Sequence, residues 1–535
     1  MLKPTAHPAP PELLARWSAA GLRREQHVGW ALDQAAEARP DGEAVVLASE
    51  RVTFGELRAR ADAIAEQLVG AGVGAGDVVT WTLPNGIDAV ATAAAIWRIG
   101  AVSAPVVTIY RHHELEFIVG ELRPAALIAS GDVRGRDLCA ELDEACAAAG
   151  VLPRARVCTH GEVDGWAPRA LAPRAPLPGD VRPGGPEDVC LVLYTSGTTA
   201  KPKGVMHCSR ALVQEVASMQ HAWGLTFRDT MLMASPLTHI TGMLQGLLVP
   251  CMVGARSVLM DRWDPDSCVE LIERERATYM AGATPFLSGI LQAFRARGVT
   301  RPALRQYCCG GAAVPPALVE EADALGIAAY RCWGMTELPT TTLASERDPL
   351  ARRARYDGRA AAGVQIEAVD ADRRPLPAGE EGELRVRGPE QMLGYVDAER
   401  TAEAVDEAGW FYTGDLGIID DERWVRITGR LKDIINRGGE KFSAREVEDL
   451  LIAHPSVGEV AVVALPDERL GELACAVIVA EADLRVDTEA LTAFLRAQRI
   501  ATQKLPERYE IVAALPRTAS GKVQKHLIVA ALSGG

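Results

Sequence analysis

Lysine is scarce in this 535-residue chain. Only eight of its 57 basic residues are Lys (Lys3, Lys201, Lys203, Lys432, Lys441, Lys504, Lys522 and Lys525), and the rest are Arg. Long apolar runs are missing too. The best stretches, such as 89–97, fall short of the ~18 consecutive apolar residues of a membrane helix, which excludes a helical span. No basic stripe offsets the 71 acidic residues and net charge of −14. A nucleic-acid binder, which must displace counterions with a positive surface, is therefore excluded. The 11 Cys keep no metal-ligand spacing, and Cys308–Cys309 are adjacent, as expected of reduced thiols in a cytoplasmic protein. His112–His113 has no ligand companions. Residues 1–11 are Pro-rich and carry no apolar signal segment.

What is present is ordinary for a globular protein, with 48% hydrophobic and 24% charged residues. Single cores stop growing at about 250–300 residues, so several units are expected. A chain that writes Arg for generic positive charge keeps Lys preferentially where a compact point charge on a flexible stem is needed. Lys3, Lys504 and Lys525 read as solvated surface. The others lie in Gly-rich or motif-like segments.

Apolar strand-like runs at 43–48, 78–83 and 101–107 alternate with helical patterns at 53–69 and 89–99. The alternation returns with strands at 189–194, 231–234, 257–260, 277–281 and 307–310, which indicates α/β layers and mostly parallel sheets. Residues 153–186 read as an irregular connection between two such units. After Gly358, runs at 364–369 and 382–387 predict a small β-rich unit. Beyond Gly429, a polar stretch at 430–440 precedes a helix at 444–453, strands at 457–465 and 474–480, and a helix at 488–497. The fold class is therefore α/β: a large N-terminal domain of layered subdomains with a β-rich unit (1–431), then a small mobile α+β domain (432–535) hinged at Lys432.

The strongest local signal is the strand 189–194 running into Thr195-Ser-Gly-Thr-Thr-Ala-Lys-Pro-Lys-Gly204. Gly allows close backbone approach, hydroxyls and amides surround oxygens, and Lys supplies charge, so Thr195, Ser196, Gly197, Thr198, Thr199 and Lys203 form a candidate polyphosphate cradle. It is not a Walker loop, because Pro202 stands where the second Gly would be. Gly72–Gly76 lacks dinucleotide spacing, and neither a Gly-x-Ser-x-Gly elbow nor a His-Glu-x-x-His helix is present.

At these residues the chain resembles the adenylate-forming superfamily of acyl- and aryl-CoA synthetases, peptide-synthetase adenylation domains and beetle luciferases. Further motifs follow in the family's order along essentially the whole chain. The resemblance implies that His239 and Gly311 lie beside the carboxylate and acyl pocket, with Met243, Phe286 and Leu287 as its apolar lining. Gly310, Gly311 and Ala312 would border adenine. In the segment Trp333-Gly334-Met335-Thr336-Glu337, the aromatic ring would stack near adenine, Thr336 would bond the α-phosphate and Glu337 would hold Mg²⁺. Asp415 would accept the ribose hydroxyls, by the logic of ribose-binding acids elsewhere, and Arg430 would contact ribose and phosphate. Gly438, Gly439 and Lys441 would line a pantetheine tunnel, with Lys441 near the phosphates before the small domain turns. Lys522 would be the adenylation Lys.

The implied activity is an ATP-, Mg²⁺- and coenzyme A-dependent acid–thiol ligase working through an acyl-adenylate. Its nearest branch contains cyclohexanecarboxylate-CoA and medium-chain fatty acyl-CoA ligases, which suits an aliphatic, alicyclic or bulky polycyclic acid. Three other readings stay open: a stand-alone adenylase loading a carrier protein, a luciferase-like oxygenase, and a non-catalytic acyl or nucleotide binder. A monomer or homodimer is expected.

Overall fold

The computed structural model describes residues 2–179, 181–195, 202–311, 314–437, 440–467, 470–481, 484–518 and 521–533. Two seven-stranded sheets build most of the N-terminal domain. The first runs, from one edge to the other, through Ala328–Arg331, Gln306–Cys309, Tyr279–Gly282, Thr230–Met233, Arg256–Leu259 and Glu43–Leu47, all parallel, and ends on antiparallel Glu50–Thr53. The second runs through Ala167–Pro168, Ala155–Cys158, Ala126–Ala129, Val78–Thr82, Val102–Pro105 and Val189–Thr195, with antiparallel Lys203–Cys208 on its edge.

These central strands are apolar on both faces because helices cover both sides of a parallel sheet. The helix Phe54–Gly70 starts on a capping box between Thr53 and Glu56. The helix Ile87–Arg98 is buried nearly all round, and its Val90, Ile96 and Trp97 share one core with Val45 and Met231 of the first sheet and Trp81 and Leu191 of the second. That shared core fixes the two sheets against each other.

An antiparallel sheet of Gln365–Val369, Glu381–Arg387, Phe411–Ile419 and Val425–Arg430 forms the β-rich unit. Residues 381–387 alternate buried and outward positions, the period of a sheet with one face on the core. The small C-terminal domain has its own two cores around the long pair Val457–Asp467 and Gly471–Ala480. Among the described residues, no helix is long and apolar enough to cross a membrane.

Three expectations need correction. Residues 153–186 do not join two separate sheets: Ala155–Cys158 and Val189–Thr195 belong to the same sheet, on opposite sides of Val78–Thr82. The stretch 430–440 is not a plain polar loop. A short 3₁₀ turn, Leu431–Asp433, leads into strand Ile434–Arg437, which pairs with Glu440–Ser443 and touches Gly471, so long-range pairing overrides its polarity. Lys525 is not free surface: its ammonium lies 2.7 Å from Glu448 and 3.6 Å from Asp433, tying the last helix to the 3₁₀ turn. Lys504 likewise pairs with Glu446 at 2.7 Å.

Candidate active site

The cradle begins where strand Val189–Thr195 ends and returns through Lys203, which sits opposite Thr195 in the ladder. Ser196, Gly197, Thr198 and Thr199 lie outside the described residues, as do Ala312, Gly438 and Gly439. Lys203 places its ammonium over the Tyr395 ring, 5.1 Å from the centroid. The hydroxyl of Tyr395 in turn donates to Oε1 of Glu337 at 2.7 Å. Burial and the Glu337 charge hold that phenol protonated by raising its pKa. The cradle's Lys and the candidate metal carboxylate thus meet across one aromatic ring.

The segment carrying Glu337 is clamped on its other side. A Cβ at Gly334 would collide with the Pro339 carbonyl, so only Gly permits this tight turn. The Thr336 carbonyl lies 2.7 Å from Nε2 of His207, and the Met392 amide donates to the Glu337 carbonyl at 2.8 Å. Met335 donates from its amide to the Leu338 carbonyl at 3.1 Å. Burial pushes the His207 imidazole down to about 4, so it is neutral at pH 7 and its Nε2–H is the donor to Thr336. Sequence reasoning missed His207 and Tyr395. His207 follows the cradle by three residues, a signal that existed; Tyr395 stands in a loop with nothing local to mark it.

Asp415, on strand Phe411–Ile419, lies opposite Arg430 in the ladder and is 4% exposed. Its Oδ2 accepts from the Trp333 indole N–H at 2.8 Å. Arg430 Nε forms an ion pair with Oδ1 at 2.7 Å, without an aligned hydrogen bond.

Lys522 arrives from the C-terminal domain. Its Cε lies 3.2 Å from where a Cβ on Gly311 would stand, and a Cβ on Gly521 would stand 3.5 Å from Ala283. Gly311 has φ +81°, a backbone that favours Gly. Burial lowers the Lys522 pKa most. Arg430 and Lys432 lower it further, whereas Asp415 and Glu337 raise it. Lys522 thus feels two further cations and two carboxylates, a local excess of positive charge that suits a polyanion.

His239 caps the short helix Ile240–Gly242 and is half-buried. Its Nδ1 accepts from the Thr241 amide at 3.4 Å. Burial, then the Lys522 charge, push its imidazole down to about 3, so it is neutral. Gly310 abuts Cys332: a Cβ there would stand 3.0 Å from its Sγ.

The apolar lining differs from expectation. Met243 and Leu287 have no exposed surface and belong to two different core clusters, while Phe286 stacks on Trp263 at 4.4 Å between ring centroids. Met243 and Leu287 therefore present no surface to a ligand. Lys441 is exposed on strand Glu440–Ser443 and does not join the Lys522 group.

The fold defines a two-domain enzyme whose small C-terminal domain brings Lys522 to the large one. The chain belongs to the AMP-binding enzyme family: residues 32–396 match the AMP-binding enzyme model and 446–522 its C-terminal domain. It is 38% identical over 509 residues to the medium-chain fatty-acid–CoA ligase of Escherichia coli K12, covering 92% of this chain and 88% of that one. It is 33% identical to 3-[(3aS,4S,7aS)-7a-methyl-1,5-dioxo-octahydro-1H-inden-4-yl]propanoyl:CoA ligase of Rhodococcus jostii, covering 93% and 97%. The solved o-succinylbenzoate CoA synthetase of Bacillus subtilis, in complex with its acyl-adenylate intermediate OSB-AMP, superposes with a TM-score of 0.80 at 27% identity, covering 94% and 97%. The protein is an AMP-forming acyl-CoA synthetase.

Proposed function

We propose that this synthetase activates an aliphatic, alicyclic or bulky polycyclic carboxylic acid, with Lys522 switching it between two half-reactions. In the first, a carboxylate oxygen attacks the α-phosphorus of ATP and the bond to pyrophosphate breaks, leaving the acyl-adenylate. In the second, the thiol of coenzyme A attacks the acyl carbonyl, loses its proton and expels AMP.

The first step brings two anions together, so it needs positive charge between them. Lys522 is placed to bridge the carboxylate and the α-phosphate, Arg430 adds charge on the ribose side, and the Thr195–Thr199 cradle takes the leaving pyrophosphate. Preorganised charges of this kind supply several kcal/mol in a closed site. Neutral His239 and the Gly311 backbone border the acid. Glu337, with Oε1 held by Tyr395, offers one hard carboxylate. That suits Mg²⁺, which prefers one or two protein carboxylates plus substrate phosphates to an all-protein cage. Among the described residues no cluster of three metal-ligating side chains exists. When bound, Mg²⁺ neutralises charge on the phosphate oxygens.

The second step needs a thiol where Lys522 stood. Turning the small domain, from residue 432 onward, about Lys432 would withdraw Lys522 and bring the 438–441 segment to a pantetheine path. Support for the acid class comes from the names of the two relatives. The observation that carries the reading is that Lys522, from the small domain, reaches Gly311 of the large one, with its Cε 3.2 Å from where a Cβ would stand, and feels the charges of Arg430, Asp415 and Glu337.

Lys522→Ala is the direct test. Acid-dependent pyrophosphate exchange should collapse while added acyl-adenylate is still converted to the thioester; exchange at the wild-type rate would overturn the reading. AMP release over fatty, alicyclic, aryl and terpenoid acids, with coenzyme A or a phosphopantetheinyl carrier as acceptor, identifies both substrates. A carrier-only result would mark a stand-alone adenylase.

A further inference from the structure

We infer that Asn85 is a positioning residue for the carboxylic acid: its carboxamide, reaching over from the second sheet, holds the turn that carries His239. The inference rests on the placing of His239 beside the acid proposed above and deepens it.

Asn85 stands between strand Val78–Thr82 and helix Ile87–Arg98. An Asn just ahead of a helix ordinarily caps it. Here Gly86 is the cap residue and offers no side-chain bond. The polar atoms of Asn85 go to the first sheet instead. Its Nδ2 donates to the Ser235 carbonyl at 3.0 Å and to the Met260 carbonyl at 2.9 Å, and its Oδ1 accepts from the Leu237 amide at 2.7 Å. Turning the carboxamide over would set N–H against N–H and oxygen against two carbonyls, so only this orientation is compatible with its partners. The residue is buried, as is every partner it bonds.

The turn so held is a closed unit. Ser235 follows strand Thr230–Met233, Met260 follows Arg256–Leu259, and the Met260 amide donates to the Met233 carbonyl at 3.0 Å. Within the turn, the His239 amide donates to the Pro236 carbonyl at 3.0 Å, and the Met243 amide to the His239 carbonyl at 2.8 Å. A Cβ at Gly242 would stand 2.1 Å from the Pro236 oxygen, so the turn is folded tightly onto the start of the next helix. A shift of residues 235–237 therefore carries His239 with it. The imidazole lies where the reaction is proposed: after burial, the Lys522 charge is the next cause that lowers its pKa.

The anchor is also neutral. A charged side chain at this place would add its own field to a site that must receive an anion, whereas a carboxamide leaves that field to Lys522. Removing it strands two carbonyls and one amide away from water. A turn that satisfies them in another way sets His239 elsewhere.

Acid-dependent pyrophosphate exchange tests this, with KM taken separately for ATP and for the acid, using octanoate or, where it is not turned over, the best acid of the AMP-release screen. Asn85→Ala removes all three bonds. Asn85→Asp keeps the shape and the acceptor but sets a carboxyl oxygen against two carbonyls. KM does not depend on how much enzyme is folded, so partial destabilisation cannot mimic the effect. In both variants KM for the acid should rise about tenfold or more, the scale of an ångström-sized misplacement, while KM for ATP keeps its wild-type value. His239→Ala should raise the same constant, and adding Asn85→Asp to it should change little further, because residues that act through one contact are not additive. A wild-type KM for the acid in both Asn85 variants, beside a raised one in His239→Ala, would overturn the inference alone, as would additive effects in the double variant. An unchanged KM for the acid in His239→Ala would overturn the placing of His239 and the inference together.

Discussion

The Tyr395 hydroxyl donates to Glu337 Oε1 at 2.7 Å while the same ring lies beneath the Lys203 ammonium, so one phenol links Lys203 of the candidate phosphate cradle to the carboxylate proposed to hold Mg²⁺. Tyr395→Phe keeps the ring under Lys203 and leaves Glu337 short of one donor. Losing a hydrogen bond to a charged group costs about 1.5–3 kcal/mol. The adenylation rate should fall roughly tenfold or more, the Mg²⁺ activation curve should move to higher concentration, and conversion of preformed acyl-adenylate should be unaffected. Mg²⁺ titrations of pyrophosphate exchange check this; a superimposable curve would refute the link.

Gly311 sits at φ +81°, and an added methyl would stand 3.2 Å from Lys522 Cε, closer than ordinary van der Waals contact. Gly311→Ala is expected to push the Lys522 tip from its place and to strain the turn by about 1 kcal/mol or more. Pyrophosphate exchange should drop by about one to two orders of magnitude, more than thioester formation from added adenylate. Equal losses in the two assays would show that Gly311 serves only the backbone.

Glu215 and Glu390 face each other in the core, next to Gln214, Ser218 and Thr340, and each is 1% exposed. Burial is the first cause of the shift for both: it pushes Glu215 up to about 7 and holds Glu390 well above the usual range, with the Glu215 charge adding to the latter. A folded-state pKa above the unfolded 4.5 means that the native chain keeps a proton the unfolded chain has released. Stability from this group is therefore full below pH about 4.5, falls as pH rises toward 7, and is flat beyond. Glu215→Gln should melt near wild type at pH 5 and above it at pH 8. Melting curves at those two pH values decide the matter, and an advantage at pH 5 alone would contradict it.

Lys432 lies within the 3₁₀ turn Leu431–Asp433, and Lys525 ties that turn to the last helix through Asp433 and Glu448. Lys432→Pro fixes φ near −65° at the turn. Adenylation, which uses the lobe arrangement seen here, should survive within a few-fold, and thioester formation should fall at least tenfold. Single-turnover assays of each half-reaction separate the outcomes; parallel loss would argue against a hinge at this position.

The segments of the candidate site were legible because they announce themselves locally. Strand 189–195 is an uninterrupted apolar run that ends in hydroxyls, Gly and Lys, and 331–337 and 410–417 are short polar motifs next to apolar strands. Strand–helix alternation marked the parallel sheets, since period and apolar content are properties of consecutive residues. Several details were not legible. Met243 and Leu287 look like pocket lining in a list of apolar residues, yet packing leaves them no surface. Lys525 looks like free surface until the last helix folds back on Asp433 and Glu448.

Consecutive residues, with the family resemblance they carry, were enough to state the reaction class and to propose Glu337, Asp415 and Lys522 for it, because each candidate group comes embedded in its own turn. Folding in three dimensions decided how those groups are held: Trp333 on Asp415, Tyr395 on Glu337 and His207 on Thr336, across 82, 58 and 129 residues respectively. No periodicity encodes such pairs. Each forms only after parallel strands have been ordered by long crossovers and two sheets have closed on one helix, so the partner of a buried donor is a property of the packed core and not of its neighbours along the chain.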